Sequence, residues 1–126
     1  MSASKSDLSA LFDAFNRHDA AAAVSFMTDD VVFETLGGSE VYGTRIVGRD
    51  AVHDAFAGVW RDFPDAHWET TSHSIIGDLG VSEWIFRGTG KDGARIEAEG
   101  CDLFTLKDGK ISMKRAFRKQ RPLIPA

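Results

Sequence analysis

Arg95-Ile96-Glu97-Ala98-Glu99-Gly100-Cys101-Asp102-Leu103-Phe104-Thr105-Leu106-Lys107, followed at once by Asp108-Gly109, is the stretch that decides the fold. Successive side chains of a strand point to opposite faces. One face therefore carries Ile96, Ala98, Gly100, Asp102, Phe104 and Leu106, and the other Glu97, Glu99, Cys101, Leu103 and Thr105. The first face is apolar or neutral apart from Asp102, so it is the one to turn inward. Asp-Gly is a strong hairpin signal, and Asp92-Gly93 repeats it upstream. Residues 81–89, 95–107 and 110–119 thus read as three consecutive antiparallel strands.

Working outward, Gly77-Asp78-Leu79-Gly80 is a turn, and the Thr-, Ser- and Ile-rich residues 68–76 form a fourth strand. The N-terminal half has helical spacing instead. Leu8, Leu11, Phe12 and Phe15 recur at one helical face, with Ser4 or Ser6 as the cap. Asp19 caps a short Ala-rich helix over 20–27. Thr28-Asp29-Asp30 closes it and opens a β-branched run, 31–36, followed by a loop containing Gly37, Gly38, Gly43 and Gly48. Asp50 caps a third helix with Val52, Phe56, Val59, Trp60 and Phe63 on its apolar side, ended by Pro64. Three helices followed by a mainly antiparallel meander make an α+β arrangement. Residues 1–126 read as a single domain, long enough to bury about two thirds of its unfolded surface.

The formal net charge of −4 disfavours nucleic acid as a partner. No apolar run reaches membrane-spanning length, and the first residues lack the apolar stretch of a signal peptide, so neither a membrane partner nor export is expected. The single cysteine, Cys101, excludes an intrachain disulfide and suits a reducing cytoplasm. It lies on the strand face opposite Asp102, where packing as a small hydrophobe is its expected role. There is no HExxH, no CxxC, no Gly-x-Gly-x-x-Gly fingerprint, no P-loop and no Gly-x-Ser-x-Gly. Neither metal nor cofactor is expected.

Asp102 is the chemical centre of the chain. An acid on an inward face must be paired, or its pKa must rise until it is neutral, because an unpaired buried charge costs several kcal/mol. Carboxylates tuned in this way serve enzymes as acids, bases and hydrogen-bond donors. A purely structural ion pair satisfies the same pattern.

Phe26-Met27-Thr28-Asp29-Asp30-Val31, Gly48-Arg49-Asp50-Ala51-Val52, Phe63-Pro64-Asp65, Gly88-Thr89 and Asp108-Gly109-Lys110-Ile111 carry a further signal. In order and spacing they resemble the nuclear transport factor 2-like superfamily, and within it the SnoaL-like polyketide cyclases and the ketosteroid isomerases. The resemblance implies a cystatin-like α+β barrel: a cone in which a strongly curved, mixed but mainly antiparallel sheet wraps three N-terminal helices. It also implies a deep apolar pocket and a homodimer formed through the outer sheet face. It does not imply one activity. The isomerase's protonated oxyanion-hole Asp, an acid whose pKa an apolar site raises, matches Asp102. Its general base falls at about Thr35 and its oxyanion Tyr at about Leu11, neither of which can take that role, so steroid isomerisation by that route is not expected. Dehydratases of this fold use a His with an Asp, and His67 and His73, six residues apart and so on one strand face, are available.

Arg115 is the expected partner of Asp102. Met113 and Phe117, which alternate with it on the last strand, match pocket-facing positions of the isomerase and would carry Arg115 inside. Such a pair is either structural or a fork for a carboxylate or enolate. His73 is the candidate second acid–base group, with His18 and His53 expected in solvent. Phe33, Thr35, Phe56, Trp60, Trp84, Phe86, Phe104, Met113 and Phe117 are the candidate substrate-binding residues, although aromatics at these spacings also serve as plain core. The basic run from Lys114 to Arg121 reads as a solvated edge paired with Glu97 and Glu99 across the hairpin. The expected function is a cofactor-independent acid–base enzyme, of isomerase, cyclase or dehydratase type, on a hydrophobic carbonyl or hydroxyl compound. The alternative is a non-catalytic ligand-binding or dimerisation module, with a collapsed, purely structural interior as the third reading.

Overall fold

The computed structural model describes residues 3–126. Helix α1 (Lys5–Asn16) opens on a capping box: the Ser4 hydroxyl accepts from the Asp7 amide, and the Asp7 carboxylate accepts from the Ser4 amide at 2.8 Å. Its apolar face buries Leu8, Leu11, Phe12 and Phe15. Helix α2 (Ala20–Val24) is capped by Asp19, whose carboxylate accepts from the Ala22 amide at 3.0 Å. It is shorter than its alanine content suggests. The next strand, β1 (Met27–Glu34), starts where the helix was expected to end, and it takes in Thr28, Asp29 and Asp30. Met27 and Val31 are fully buried and draw that segment into the sheet.

The Gly-rich loop holds a short strand that the sequence reading did not find, β2 (Arg45–Val47), antiparallel to β1. Helix α3 (Arg49–Asp62) is capped by Gly48 at a φ of 97°, which glycine adopts without strain. Asp50 is not the cap as expected; it lies in the first turn, where its charge complements the helix dipole. The helix stops at Asp62, two residues before Pro64.

Strands β3 (His67–Ile76), β4 (Leu79–Thr89), β5 (Arg95–Lys107) and β6 (Lys110–Arg118) form the expected meander. The sheet order is β2-β1-β6-β5-β4-β3, with β1 parallel to β6 and every other pairing antiparallel. The sheet is curled but not closed. Its inner face packs Trp84, Phe86, Phe104 and Ile111 against α1 and α3. No helix among the described residues is long and apolar enough to cross a membrane.

Two irregularities decide what faces inward. On β3, Thr70 pairs with Trp84 but Ser72 with Glu83, so Thr71 is an extra residue. On β6, Met113 pairs with Thr105 but Ile111 with Leu106, so Ser112 is extra. A bulge of this kind inverts the in–out alternation beyond it.

Candidate functional site

Asp102 is 0% exposed. Both of its carboxylate oxygens are engaged: Trp84 Nε1 donates to Oδ2 at 3.0 Å, and Lys114 Nζ donates to Oδ1 at 2.8 Å. Gly100 makes the first contact possible. It lies directly across from Trp84 on β5, and a Cβ there would collide with the indole and with the Phe117 carbonyl. The missing side chain lets the indole lie across β5 with its N–H aimed at Asp102.

Lys114 is 7% exposed and stands among three phenylalanines. Its Nζ is 4.6 Å from the ring centre of Phe33, 5.5 Å from Phe15 and 5.9 Å from Phe56. Such contacts partly offset the loss of hydration of an ammonium. An ammonium carries three donors, and only the bond to Asp102 is made among the described residues. The remaining N–H groups face aromatic surface.

A second polar pair lies on the same inner face. Ser82 is fully buried and pairs across the sheet with both Asp102 and His73. His73 Nδ1 lies 2.8 Å from Ser82 Oγ, and its imidazole packs against Phe12. Burial lowers the His73 pKa, with Asp13 pulling the other way. His73 and Asp102 are two strands apart, about 10 Å by the usual strand spacing, with Ser82 between them. The inner face thus carries a polar stripe, His73, Ser82, Asp102 and Lys114, across four adjacent strands.

Several expectations are corrected. Arg115 does not reach Asp102. The extra residue at Ser112 turns Lys114 inward and Arg115 outward, where Arg115 Nε donates to Glu34 Oε1 at 3.2 Å. Met113 and Phe117 follow Arg115 to the outer face, and Phe117 is 45% exposed. Thr35 leaves the sheet, its hydroxyl donating to the Gly37 carbonyl at 2.8 Å. His67 and His73 are not on one face, because the bulge at Thr71 lies between them; His67 pairs with Arg87 and is exposed. His18 is half-buried and not freely solvated. Its Nε2 donates to the Ala66 carbonyl at 2.8 Å, and it stacks on Trp60 at 5.1 Å. That stacking places Trp60 beside the α1–α2 turn, away from Asp102.

Phe33, Phe56, Trp84, Phe86 and Phe104 do lie on the inner side of the sheet. Phe33, Phe56 and Trp84 gather round the Asp102–Lys114 pair. Phe86 sits farther along, packed on Trp68 at 5.1 Å, and Phe104 is fully buried. Lys114, Ser82 and Phe15 are the site residues that the sequence reading missed. The Asp102–Ser82 pairing was recoverable from the hairpin, whereas Lys114 was hidden by the bulge.

Cys101 is on the outer face, as expected. Burial raises its thiol pKa, and Asp102 and Glu83 add to the rise, which makes it a poor nucleophile. The basic run divides. Lys119 pairs with Glu99 at 3.0 Å and Arg121 approaches Glu97 at 4.0 Å, as the solvated-edge reading has it, but Lys114 and Arg118 turn inward.

Two clefts border this framework. One, of about 630 Å³, lies mainly on the outer face between Thr71, Glu83, Cys101, Phe117 and the loop at Leu36 and Tyr42. The other, of about 560 Å³, lies between Leu36, the start of β5, the end of β6 and residues 120–123. Neither is lined by Asp102, Lys114 or His73.

A curled, mainly antiparallel sheet over three helices is the architecture of solved structures described as having a cystatin or cystatin-like fold. The SnoaL-like domain family matches residues 8–113, and the chain belongs to that family. No curated protein matches the sequence. Among solved structures, a putative SnoaL-like polyketide cyclase from Jannaschia sp. CCS1 is similar at 18% identity and a TM-score of 0.76, covering 89% of this chain and 82% of that one. A protein with a ketosteroid isomerase-like fold from Catenulispora acidiphila, solved with trimethylamine, matches at 17% identity and a TM-score of 0.75, covering 87% and 82%. A cystatin-fold protein from Novosphingobium aromaticivorans matches at 20% identity and a TM-score of 0.71, covering 88% and 94%.

Proposed function

We propose that the chain is a cofactor-independent acid–base enzyme, of isomerase, cyclase or dehydratase type, acting on a hydrophobic carbonyl or hydroxyl compound held against the inner face of the sheet. The observation that carries this reading is the buried Asp102–Lys114 pair with unused ammonium donors. Desolvating two charges costs free energy that their attraction often fails to return, so such a pair is a poor way to stabilise a fold. It is a good way to hold charge ready for a substrate. Lys114 would donate to the reacting oxygen and stabilise negative charge as it develops. Asp102, with two lone-pair sites still free after its two bonds, would move the proton. His73, neutral near pH 7, would act as a second base at the far end of the stripe. The surrounding phenylalanines would exclude water.

A polyketide cyclase among the similar folds supports a carbonyl substrate. A second copy of the chain would cover the outer face, which exposes Leu36, Val41, Tyr42 and Phe117. The non-catalytic alternative is favoured by one observation: neither cleft reaches the polar stripe. The catalytic reading requires Phe33 or Phe56 to swing aside and admit the substrate to Lys114.

The test is a thermal-shift screen of hydrophobic ketones, enones and hydroxy compounds on wild type, Asp102→Asn and Trp84→Phe. A compound class that stabilises wild type, and stabilises both variants less, supports the reading. Equal shifts in all three proteins would sink it.

A further inference from the structure

Arg118 has no use in the reading above. It follows Lys114 and Ala116 on the inward side of β6 and lies opposite Gly100. Its guanidinium carbon is 5.3 Å from the ring centre of Phe86, on β4. The side chain therefore crosses β5, where Ala98 and Gly100 are small enough to let it pass. Among the described residues it has neither an ion-pair nor a hydrogen-bond partner.

That is unusual within this chain. Arg45 and Arg115 hold Glu34, Arg49 holds Asp29, Arg87 holds Glu69 and Glu97, and Arg121 approaches Glu97. The arginines without an acid, Arg17, Arg61 and Arg95, are exposed to water. Arg118 alone is both partly buried and without an acid. The carboxylates nearest in sequence pairing are taken, Glu97 by Arg87 at 2.8 Å and Glu99 by Lys119 at 3.0 Å. Burial draws the guanidinium pKa below its ordinary value, as expected of a cation whose charge nothing nearby answers.

Arg118 borders both clefts. The smaller one has an apolar side, formed by Leu36, Ile96, Ala98, Pro122 and Leu123, and a polar side, where Lys119 and Arg121 are paired with Glu99 and Glu97. Residues 120–126 are fixed there by the mutual backbone hydrogen bonds of Arg95 and Ile124, both 2.8 Å. A guanidinium presents a planar donor fork that matches a carboxylate in two parallel bonds. A fork on an aromatic ring, without an acid of its own and beside the apolar wall of the cleft, suits one carboxylate on a hydrophobic body.

We infer that the ligand is a hydrophobic carboxylic acid whose carboxylate is received by Arg118, with its carbonyl or hydroxyl reaching Lys114 once the aromatic side chains that close the polar stripe off from the cleft move aside. The inference rests on the proposed function, because it orients the same ligand. Arg118 and Lys114 are four residues apart on β6, about 13 Å of strand. The substrate class is therefore an elongated keto or hydroxy acid with polar groups at separate points.

The probe is 6-oxo-6-phenylhexanoate, a keto acid with four methylenes between its carbonyl and carboxylate, set against its methyl ester by calorimetric titration at pH 7. Wild type is expected to bind the acid at least about tenfold more tightly than the ester, the usual scale for a hydrogen bond to a charged group. In Arg118→Gln the preference disappears, with ester affinity unchanged; in Arg118→Lys it is reduced. Equal affinity for acid and ester in wild type, or an acid preference that survives in Arg118→Gln, overturns the inference. So does titration of inorganic phosphate into wild type with an affinity equal to that of the acid. Asp102→Asn separates the two proposals: it weakens ester binding if the acid–base reading holds, whatever Arg118 does. Failure of both acid and ester to bind wild type removes both.

Discussion

Lys114 and Arg115 are neighbours on β6, and each holds a buried carboxylate. Asp102 is 0% exposed and Glu34 6%. The two pairs are nonetheless different objects. Glu34 is shared on the outer face by two arginines, with Arg45 Nε and Nη2 donating to Oε2 at 3.0 and 2.7 Å and Arg115 to Oε1 at 3.2 Å. Both arginines keep their heads in water, so the ensemble is a surface clamp tying β1, β2 and β6 together. Asp102 and Lys114 are both desolvated, with an indole on one side and three phenyl rings on the other. The outer pair can lose a member and be rescued by solvent. The inner pair cannot. One residue of strand phase thus separates an ion pair backed by solvent from one that is desolvated on both sides.

The largest effect is expected at the inner pair. Lys114→Met leaves the Asp102 carboxylate buried with only Trp84, and should cost about 3–5 kcal/mol in urea unfolding. Next comes Gly100→Val, which drives the Trp84 indole out of its place over β5. It should lower stability by about 1–3 kcal/mol, the usual cost of overpacking, and shift the tryptophan emission as the Asp102 bond breaks. Arg115→Ala should cost less than about 1 kcal/mol, because Glu34 retains Arg45 and solvent is at hand. A loss as large as that of Lys114→Met would erase the contrast between the two faces.

The smallest effect is that of pH on His73. Burial holds its pKa below the ordinary 6.5, so the folded chain takes up a proton less readily than the unfolded one. Stability is therefore constant in this respect above pH 6.5 and declines as pH falls through 6.5 toward the folded value. His73→Gln should flatten that part of the stability–pH curve. An unchanged curve would mean that His73 is solvated.

Much of the fold was legible. The apolar face of 95–107 and the two Asp-Gly turns place the meander, and the Leu8, Leu11, Phe12, Phe15 spacing places the first helix. Asp102 was found because a single carboxylate broke an otherwise apolar strand face. Its partner was missed for a physical reason. A period-two reading carries Ile111 inward to Met113 and Arg115, and the extra residue at Ser112 breaks that sequence of alternation without a proline, a glycine or any other local mark. The same happened at Thr71, where an unmarked bulge separates His67 from His73. Bulges arise from how two strands twist against each other, which a strand read alone does not contain. Strand β2 was missed because its three residues gain their order from β1 and have no strong preference of their own.

The central claim is that the Asp102–Lys114 pair is maintained for a ligand and not for the fold. The direct measurement compares wild type with the double variant Asp102→Leu/Lys114→Met, by urea unfolding and by thermal shift with 6-oxo-6-phenylhexanoate methyl ester. Replacing both charges by apolar groups of similar size removes the cost of desolvating them and orphans only the Trp84 indole N–H, so stability should stay within about 1–3 kcal/mol of wild type, while the ester no longer raises the melting temperature. A double variant that loses several kcal/mol and still responds to the ester would show the pair to be structural, contradicting the account.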